Sequence, residues 1–185
     1  MKQGNIGASA LVAHPDTPVR AVSSVICVYE WFDPGEWRFN FLVTAPRKAL
    51  KLPAPAAPAR TDGLWRHTCF ELFLRDPADG AYLEFNFSPS GQWAAYEFDG
   101  YRAGMRPLEM DAPLINPGGS EAEGFGLSAL LRQPGLWRAL PVRVGISAVI
   151  EEADGTTSYW ALAHPPGKPD FHHADSFALE LKPQQ

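Results

Sequence analysis

The sequence predicts an all-β fold, and three observations carry that reading. Short runs of alternating apolar and polar residues recur along the chain. Clusters of Asp, Gly and Pro separate them. No segment shows the apolar spacing of an amphipathic helix of three turns. Evenly spaced short strands with turn signals between them imply a sandwich or barrel. A chain of 185 residues has the length of one domain and can bury a real core, so residues 1–185 are read as a single domain with its core over about 19–181.

The elements follow in order. Residues 19–31 form a β-rich, roughly alternating run, and Asp33-Pro34-Gly35 is a turn signal. Residues 37–44 then alternate cleanly, with Trp37, Phe39, Phe41 and Val43 on one side and Arg38, Asn40, Leu42 and Thr44 on the other, completing a hairpin. The Pro/Ala tract 52–60 lacks the N–H groups that a helix or central strand needs and reads as an extended surface connection. Residues 68–74, 81–88 and 92–98 are three successive strands joined by Asp76-Pro77-Ala78-Asp79-Gly80 and Pro89-Ser90-Gly91, short enough to make them antiparallel neighbours. Residues 100–124 read as a long loop with one short strand at Leu114-Ile115, and 127–132 as either a strand or a helical turn. Residues 142–152 and 158–163 form a hairpin around Asp154-Gly155. A proline loop over 165–170 leads to a last strand at 177–181.

Composition narrows the function classes. The chain is 45% hydrophobic, 12% aromatic and 20% charged, within the globular range. Its net charge of −5 and the lack of a basic stripe argue against a nucleic acid or an anionic membrane as partner. Cys27 and Cys69 lie in apolar runs without a C-x-x-C spacing and read as buried reduced thiols. The N-terminal stretch has no continuous apolar segment, so the expected location is cytoplasmic.

Side chains alternate across a strand, and this divides each run into two faces. Phe70, Leu72 and Leu74 oppose Cys69, Glu71 and Phe73. Leu83, Phe85 and Phe87 oppose Tyr82, Glu84 and Asn86. Val142, Val144, Ile146, Ala148 and Ile150 oppose Arg143, Gly145, Ser147 and Glu151. Several strands thus pair a greasy face with one bearing Arg38, Asn40, Glu71, Glu84, Asn86 and Arg143. That polar face is either a solvated exterior with weak ion pairs or a groove in which acids, amides and Arg bind hydroxyl groups while aromatic rings stack.

The stretch 63–74, Gly-Leu-Trp-Arg-His-Thr-Cys-Phe-Glu-Leu-Phe-Leu, followed by 82–93, Tyr-Leu-Glu-Phe-Asn-Phe-Ser-Pro-Ser-Gly-Gln-Trp, resembles the DOMON-like superfamily, which includes the family 9 carbohydrate-binding modules. The tail segments Tyr159-Trp160-Ala161-Leu162-Ala163-His164 and Pro169-Asp170-Phe171-His172-His173 are similar to a bacterial DOMON-like subgroup whose members sometimes accompany a UDP-N-acetylmuramate dehydrogenase. The resemblance spans residues 19–181. It implies a two-sheet antiparallel β-sandwich of jelly-roll-like form, a carbohydrate or other hydroxyl-rich small molecule as ligand, no chemistry of its own, and a partner in cell-wall metabolism. Carried over by position are Trp65, Glu71, Glu84, Asn86 and Trp93, the two Trp being open to stacking or core roles. Tyr101 and Arg102 are candidates for the rim and Arg143 for the polar face.

Rival chemistries have less support. Glu71 and Glu84 are a candidate acid/base pair for a glycoside-processing enzyme. Haem, which some relatives bind, would need axial ligands such as Met105 or Met110 with His164, and no C-x-x-C-H is present. His164, Asp170, His172 and His173 match no metal spacing, and the adjacent His172 and His173 point opposite ways on an extended chain. No nucleophile elbow or phosphate loop occurs. The expectation is therefore a binding module without cofactor or metal.

Overall fold

A computed structural model of the chain describes residues 5–32, 36–78, 80–120, 124–132 and 141–181. Its strands are β1 (Asn5–Ala13), β2 (Ser24–Phe32), β3 (Glu36–Thr44), β4 (Cys69–Arg75), β5 (Tyr82–Phe87), β6 (Trp93–Phe98), β7 (Arg106–Pro107), β8 (Leu114–Ser120), β9 (Gly124–Arg132), β10 (Val142–Glu151), β11 (Thr157–Ala161) and β12 (Leu179–Leu181). They join in one large antiparallel sheet of order β7-β6-β5-β4-β10-β11-β1-β2-β3-β9-β8, with β12 beside β10. Helix among the described residues is limited to single 3₁₀ turns at Arg47–Ala49, Leu64–Arg66 and Ala174–Ser176. No helix among them is long and apolar enough to cross a membrane.

The sheet is continuous because β1 serves both of its halves. Residues Asn5 to Leu11 pair with β2, and Val12 and Ala13 pass to β11. The sheet curls so that the apolar faces of the halves meet. Trp37, Phe39, Phe41 and Val43 of β3 share one core with Phe70, Leu72 and Leu74 of β4, Phe85 and Phe87 of β5, and Val144, Ile146, Ala148 and Ile150 of β10. Phe70 is its hinge of contact, with ring centroids 4.8 Å from Phe41 and 6.0 Å from Phe125. The alternation read from the sequence thus assigns the inward side of β3, β4, β5 and β10 correctly.

The N-terminal strand β1 carries no such signal. Its Gly7, Ala8, Ser9 and Ala10 are poor strand formers. Gly7 stands opposite Tyr29, and a Cβ there would lie 2.5 Å from the Tyr29 ring, so the missing side chain is what lets the ring lie across β1. Strand β8 extends well past Leu114-Ile115, and its Pro117 is tolerated because β8 is an edge strand. Residues 127–132, open between strand and helix on sequence grounds, belong to β9. The hairpin turn at Asp154-Gly155 is present, with Gly155 at φ 90. The turn at Asp33-Pro34-Gly35 lies outside the described residues, as does Asp79 of the β4–β5 connection.

The second face of the β4–β5–β6–β10 half is not a solvated exterior. Phe171 and Phe177, from the segment before β12, close over it with Leu64 of the 3₁₀ turn, and together with Cys69, Phe73, Tyr82, Tyr96, Phe98 and Val149 they form a second apolar cluster. Strand β4 is therefore buried on both sides. Cys27 and Cys69 are free thiols, both buried, and burial raises the pKa of each.

Replacing Phe70 with Ala should destabilise the fold by about 3–5 kcal/mol, as expected for truncating a fully buried Phe. Leu42→Ala, on the exposed side of β3, should change stability by less than about 0.5 kcal/mol. Denaturant midpoints of the two variants check the pair.

Candidate functional site

The register of the sheet sets the polar groups of the second face in rows. One row runs Ser147, Glu71, Asn86 and Ala94 across β10, β4, β5 and β6. The next runs Gly145, Phe73, Glu84 and Tyr96. Glu71 and Glu84 are thus diagonal neighbours on adjacent strands.

Above these rows lies a cavity of about 340 Å³. Glu71, Glu84, Arg102 and His172 supply its polar lining. Trp65, Phe98, Tyr159 and Phe171 supply rings, and Met105, Val149 and Pro169 complete it. Trp65, 36% exposed, stands at the rim on the Leu64–Arg66 turn, edge-on to Tyr96 at 6.1 Å. Gly63 enters that turn at φ 76, a left-handed conformation that glycine adopts without a Cβ clash.

Both acids are deeply buried, Glu71 at 3% and Glu84 at 4% exposure. The Asn86 amide donates to Glu84 Oε1 at 2.7 Å, and His172 Nε2 lies 3.7 Å from Glu84 Oε2. Burial pushes Glu84 up to about 6, against the pull of the Asn86 hydrogen bond and the Arg102 charge. Glu71 rises well above the usual carboxylate range, first because it is buried and then because Glu84 is near, with the Arg102 charge opposing. The Ser147 hydroxyl itself, directly across the ladder from Glu71, has no hydrogen-bond partner among the described residues.

A network of loop residues fixes the open side. Arg102 Nη2 donates to Asp170 Oδ1 at 2.8 Å, and the Tyr101 hydroxyl donates to Asp170 Oδ2 at 2.6 Å. The Arg102 N–H donates to the Tyr82 hydroxyl at 3.2 Å, and that hydroxyl lies 2.8 Å from His172 Nδ1. Tyr82 then donates to Nδ1, which assigns the imidazole proton to Nε2, on the side of Glu84. Burial and the Arg102 charge lower His172 to about 4, so the ring is neutral near pH 7. Arg102 adopts φ 52, a left-handed conformation uncommon for a residue with a side chain, and these hydrogen bonds hold it there.

Of the residues singled out from the sequence, the cavity gathers Trp65, Glu71, Glu84 and Arg102, with Asn86 behind Glu84 and Tyr101 bound to Asp170. Trp93 is elsewhere: it packs in the central core with the Arg60 guanidinium 4.5 Å from its ring. Arg143 is also elsewhere, two residues beyond Gly145 on β10 and ion-paired to Glu180 at 3.0 Å. Arg38 and Asn40 are on the outer side of β3, in the other half of the sheet, with Arg38 beside Glu30 at 3.4 Å. Met105 lines the cavity, Met110 packs against the central core, and His164 bonds Val12 O through Nε2 at 2.9 Å. His172 and Asp170 serve the network above rather than joining His164 and His173, and the described residues hold no metal-binding group of three. Phe98 and Tyr159 join the face of Glu84 and Val149 through the register of β6 and β11, which the sequence analysis did not assign. Phe171 and His172, in a loop, had no periodicity to reveal them.

No protein-family model and no curated protein matches the sequence. Among solved structures, a candidate carbohydrate-binding protein from Bacteroides uniformis aligns with a TM-score of 0.58 and 12% identity, over 92% of this chain and 83% of that one. A family 9 carbohydrate-binding module from Caldicellulosiruptor kristjanssonii, in complex with cellotriose, aligns with a TM-score of 0.46 and 11% identity, over 85% of this chain and 75% of that one. The Bacteroides likeness establishes a shared fold: an all-β chain built on a large curled antiparallel sheet.

The raised acid predicts a pH-dependent variant. Unfolded, Glu71 ionises near 4.5; folded, far higher. Between those values the native state holds the extra proton, so this residue's contribution to stability is full below the unfolded value and is lost as pH rises through the folded one. Glu71→Gln escapes that loss. Its melting temperature should exceed that of the wild type by a margin that widens from about pH 5 to about pH 8, read by thermal melts at both.

Proposed function

We propose that this chain is a non-catalytic binding module that takes a carbohydrate or other hydroxyl-rich small molecule in the cavity over Glu71 and Glu84. The observation that carries the reading is the composition of that cavity: carboxylates and an arginine at its polar side and four aromatic rings around them. Acids accept from hydroxyl groups, Arg102 donates to them, and rings cover the apolar faces of a pyranose. A volume of about 340 Å³ is that of a small-ligand site. The fold shared with the Bacteroides protein supports the same assignment. On this reading the curled sheet is a jelly-roll-like sandwich of the family 9 carbohydrate-binding-module type, and ligand recognition needs neither haem nor metal.

One observation favours a second reading. Two neighbouring buried carboxyls, both held above the usual carboxylate range, are the pattern from which glycoside-processing enzymes build an acid and a nucleophile or base. Turnover of aryl glycosides decides between them. The binding reading expects none, whereas hydrolysis abolished by both Glu71→Gln and Glu84→Gln in folded protein would replace it.

For the binding reading, Trp65→Ala should weaken a sugar found by glycan array about fivefold, from the loss of one stacking contact of about 1 kcal/mol. Glu84→Gln should weaken it about tenfold or more, since a charge-assisted hydrogen bond contributes about 1.5–3 kcal/mol. Calorimetry on both variants, with melting temperatures alongside, checks the site. Unchanged affinity in both would place it elsewhere.

A further inference from the structure

Resting on the binding reading above, we infer that the ligand carries a positive charge, and that the cavity is built for an amine-bearing sugar whose ammonium group sits between Glu71 and Glu84. Charge balance leads there. Arg102 is matched by Asp170, whose two oxygens are taken by Arg102 and Tyr101. His172, the other basic group on the lining, is tied to Tyr82 through Nδ1 and meets Glu84 at 3.7 Å with Nε2. Two carboxyls at 3% and 4% exposure are then left as diagonal neighbours on β4 and β5, with no lysine or arginine ion-paired to either among the described residues. Nothing on the sheet completes them. Asn86 satisfies one oxygen of Glu84, and the buried Ser147 hydroxyl opposite Glu71 is itself without a hydrogen-bond partner among the described residues.

A neutral polyol would have to dissolve in this site against two acids that ionise poorly there. An ammonium group supplies the missing charge and several N–H donors, enough for Glu84 Oε2 and the Glu71 carboxyl together. The walls suit the same guest, because Trp65, Phe98, Tyr159 and Phe171 offer ring faces and edges that tolerate a cation beside a hydrocarbon surface. The lining groups that carry or change charge around Glu71 are Glu84 on β5, Arg102 after β6, Tyr159 on β11 and His172 before β12, with Asp170 behind Arg102 and Cys69 two residues away on β4. None of these supplies an unmatched positive charge. The empty cavity therefore keeps a proton on the carboxyl pair, and an arriving ammonium displaces it.

The experiment is isothermal calorimetry near pH 6.5 with three oligosaccharides of equal length: glucosamine oligomers, their N-acetylated counterparts and cello-oligomers. Spermidine serves as an amine without a sugar ring. The expected result is binding of the glucosamine oligomer about tenfold or more tighter than either neutral sugar. Titration in two buffers of different ionisation enthalpy should show net proton release. In Glu71→Gln, the release should be lost and the preference should shrink about tenfold. Equal or tighter binding of a neutral oligomer, with the same ranking in Glu71→Gln, would overturn the cationic ligand and leave the carbohydrate reading standing. Tight binding of spermidine with no sugar bound would keep the cation and remove the carbohydrate. No binding of any of the four would overturn both.

Discussion

Everything distinctive in this protein depends on β4 being buried on both of its faces. A strand cannot give both sides to one core, because successive side chains point in opposite directions. The odd and even residues of β4 are therefore committed to different environments. Phe70, Leu72 and Leu74 close the central core, while Cys69, Glu71 and Phe73 enter a second, smaller interior. That second interior exists only because the segments carrying Arg102 and Phe171 lie across it. A carboxylate on that face has been taken from water before any ligand arrives, and its neighbours rather than solvent set its ionisation.

The covering loops are held by a small amount of polar structure. Asp170 collects Arg102, Tyr101 and the backbone N–H of His172, and thereby fastens the turn after β6 to the segment before β12. A buried carboxylate works the same way in the β10–β11 hairpin. Glu152, at the end of the β10 run, accepts from the backbone N–H groups of Arg20 and Ala21 and pins the β1–β2 connection to the β10–β11 hairpin. The two acids differ from Glu71 in one respect: each is matched by donors that the chain provides.

Alternation in the sequence was enough to assign the faces of β3, β4, β5 and β10, because those strands have large apolar residues on one side and anything else on the other. It could not tell a solvated polar face from a covered one, since covering depends on where loops return. For that reason Glu71 and Glu84 were legible as a pair and their burial was not. Trp93 was open on sequence grounds between a stacking and a core role. A tryptophan beside a polar turn reads as a stacking platform, yet β6 directs it to the central core together with Ala95. Arg143 shares a face with Ser147, but a strand rises about 3.3 Å per residue, so four positions carry it well past the cavity. Strand β1 escaped notice because its small residues fit a close crossing, with the Tyr29 ring over Gly7, rather than a pattern of burial.

The sheet also has two ends, since its order runs from β7 to β8 without closing. An open edge presents unpaired backbone groups that can recruit a strand from another molecule. Here β7 contains Pro107 and is two residues long, and β8 carries Pro117 followed by Gly118 and Gly119. Proline offers no donor, and paired glycines give a poor template for an added ladder. Both borders of the sheet are thus blunted against self-association. Neither end of that path offers a second molecule a regular row of backbone donors to extend.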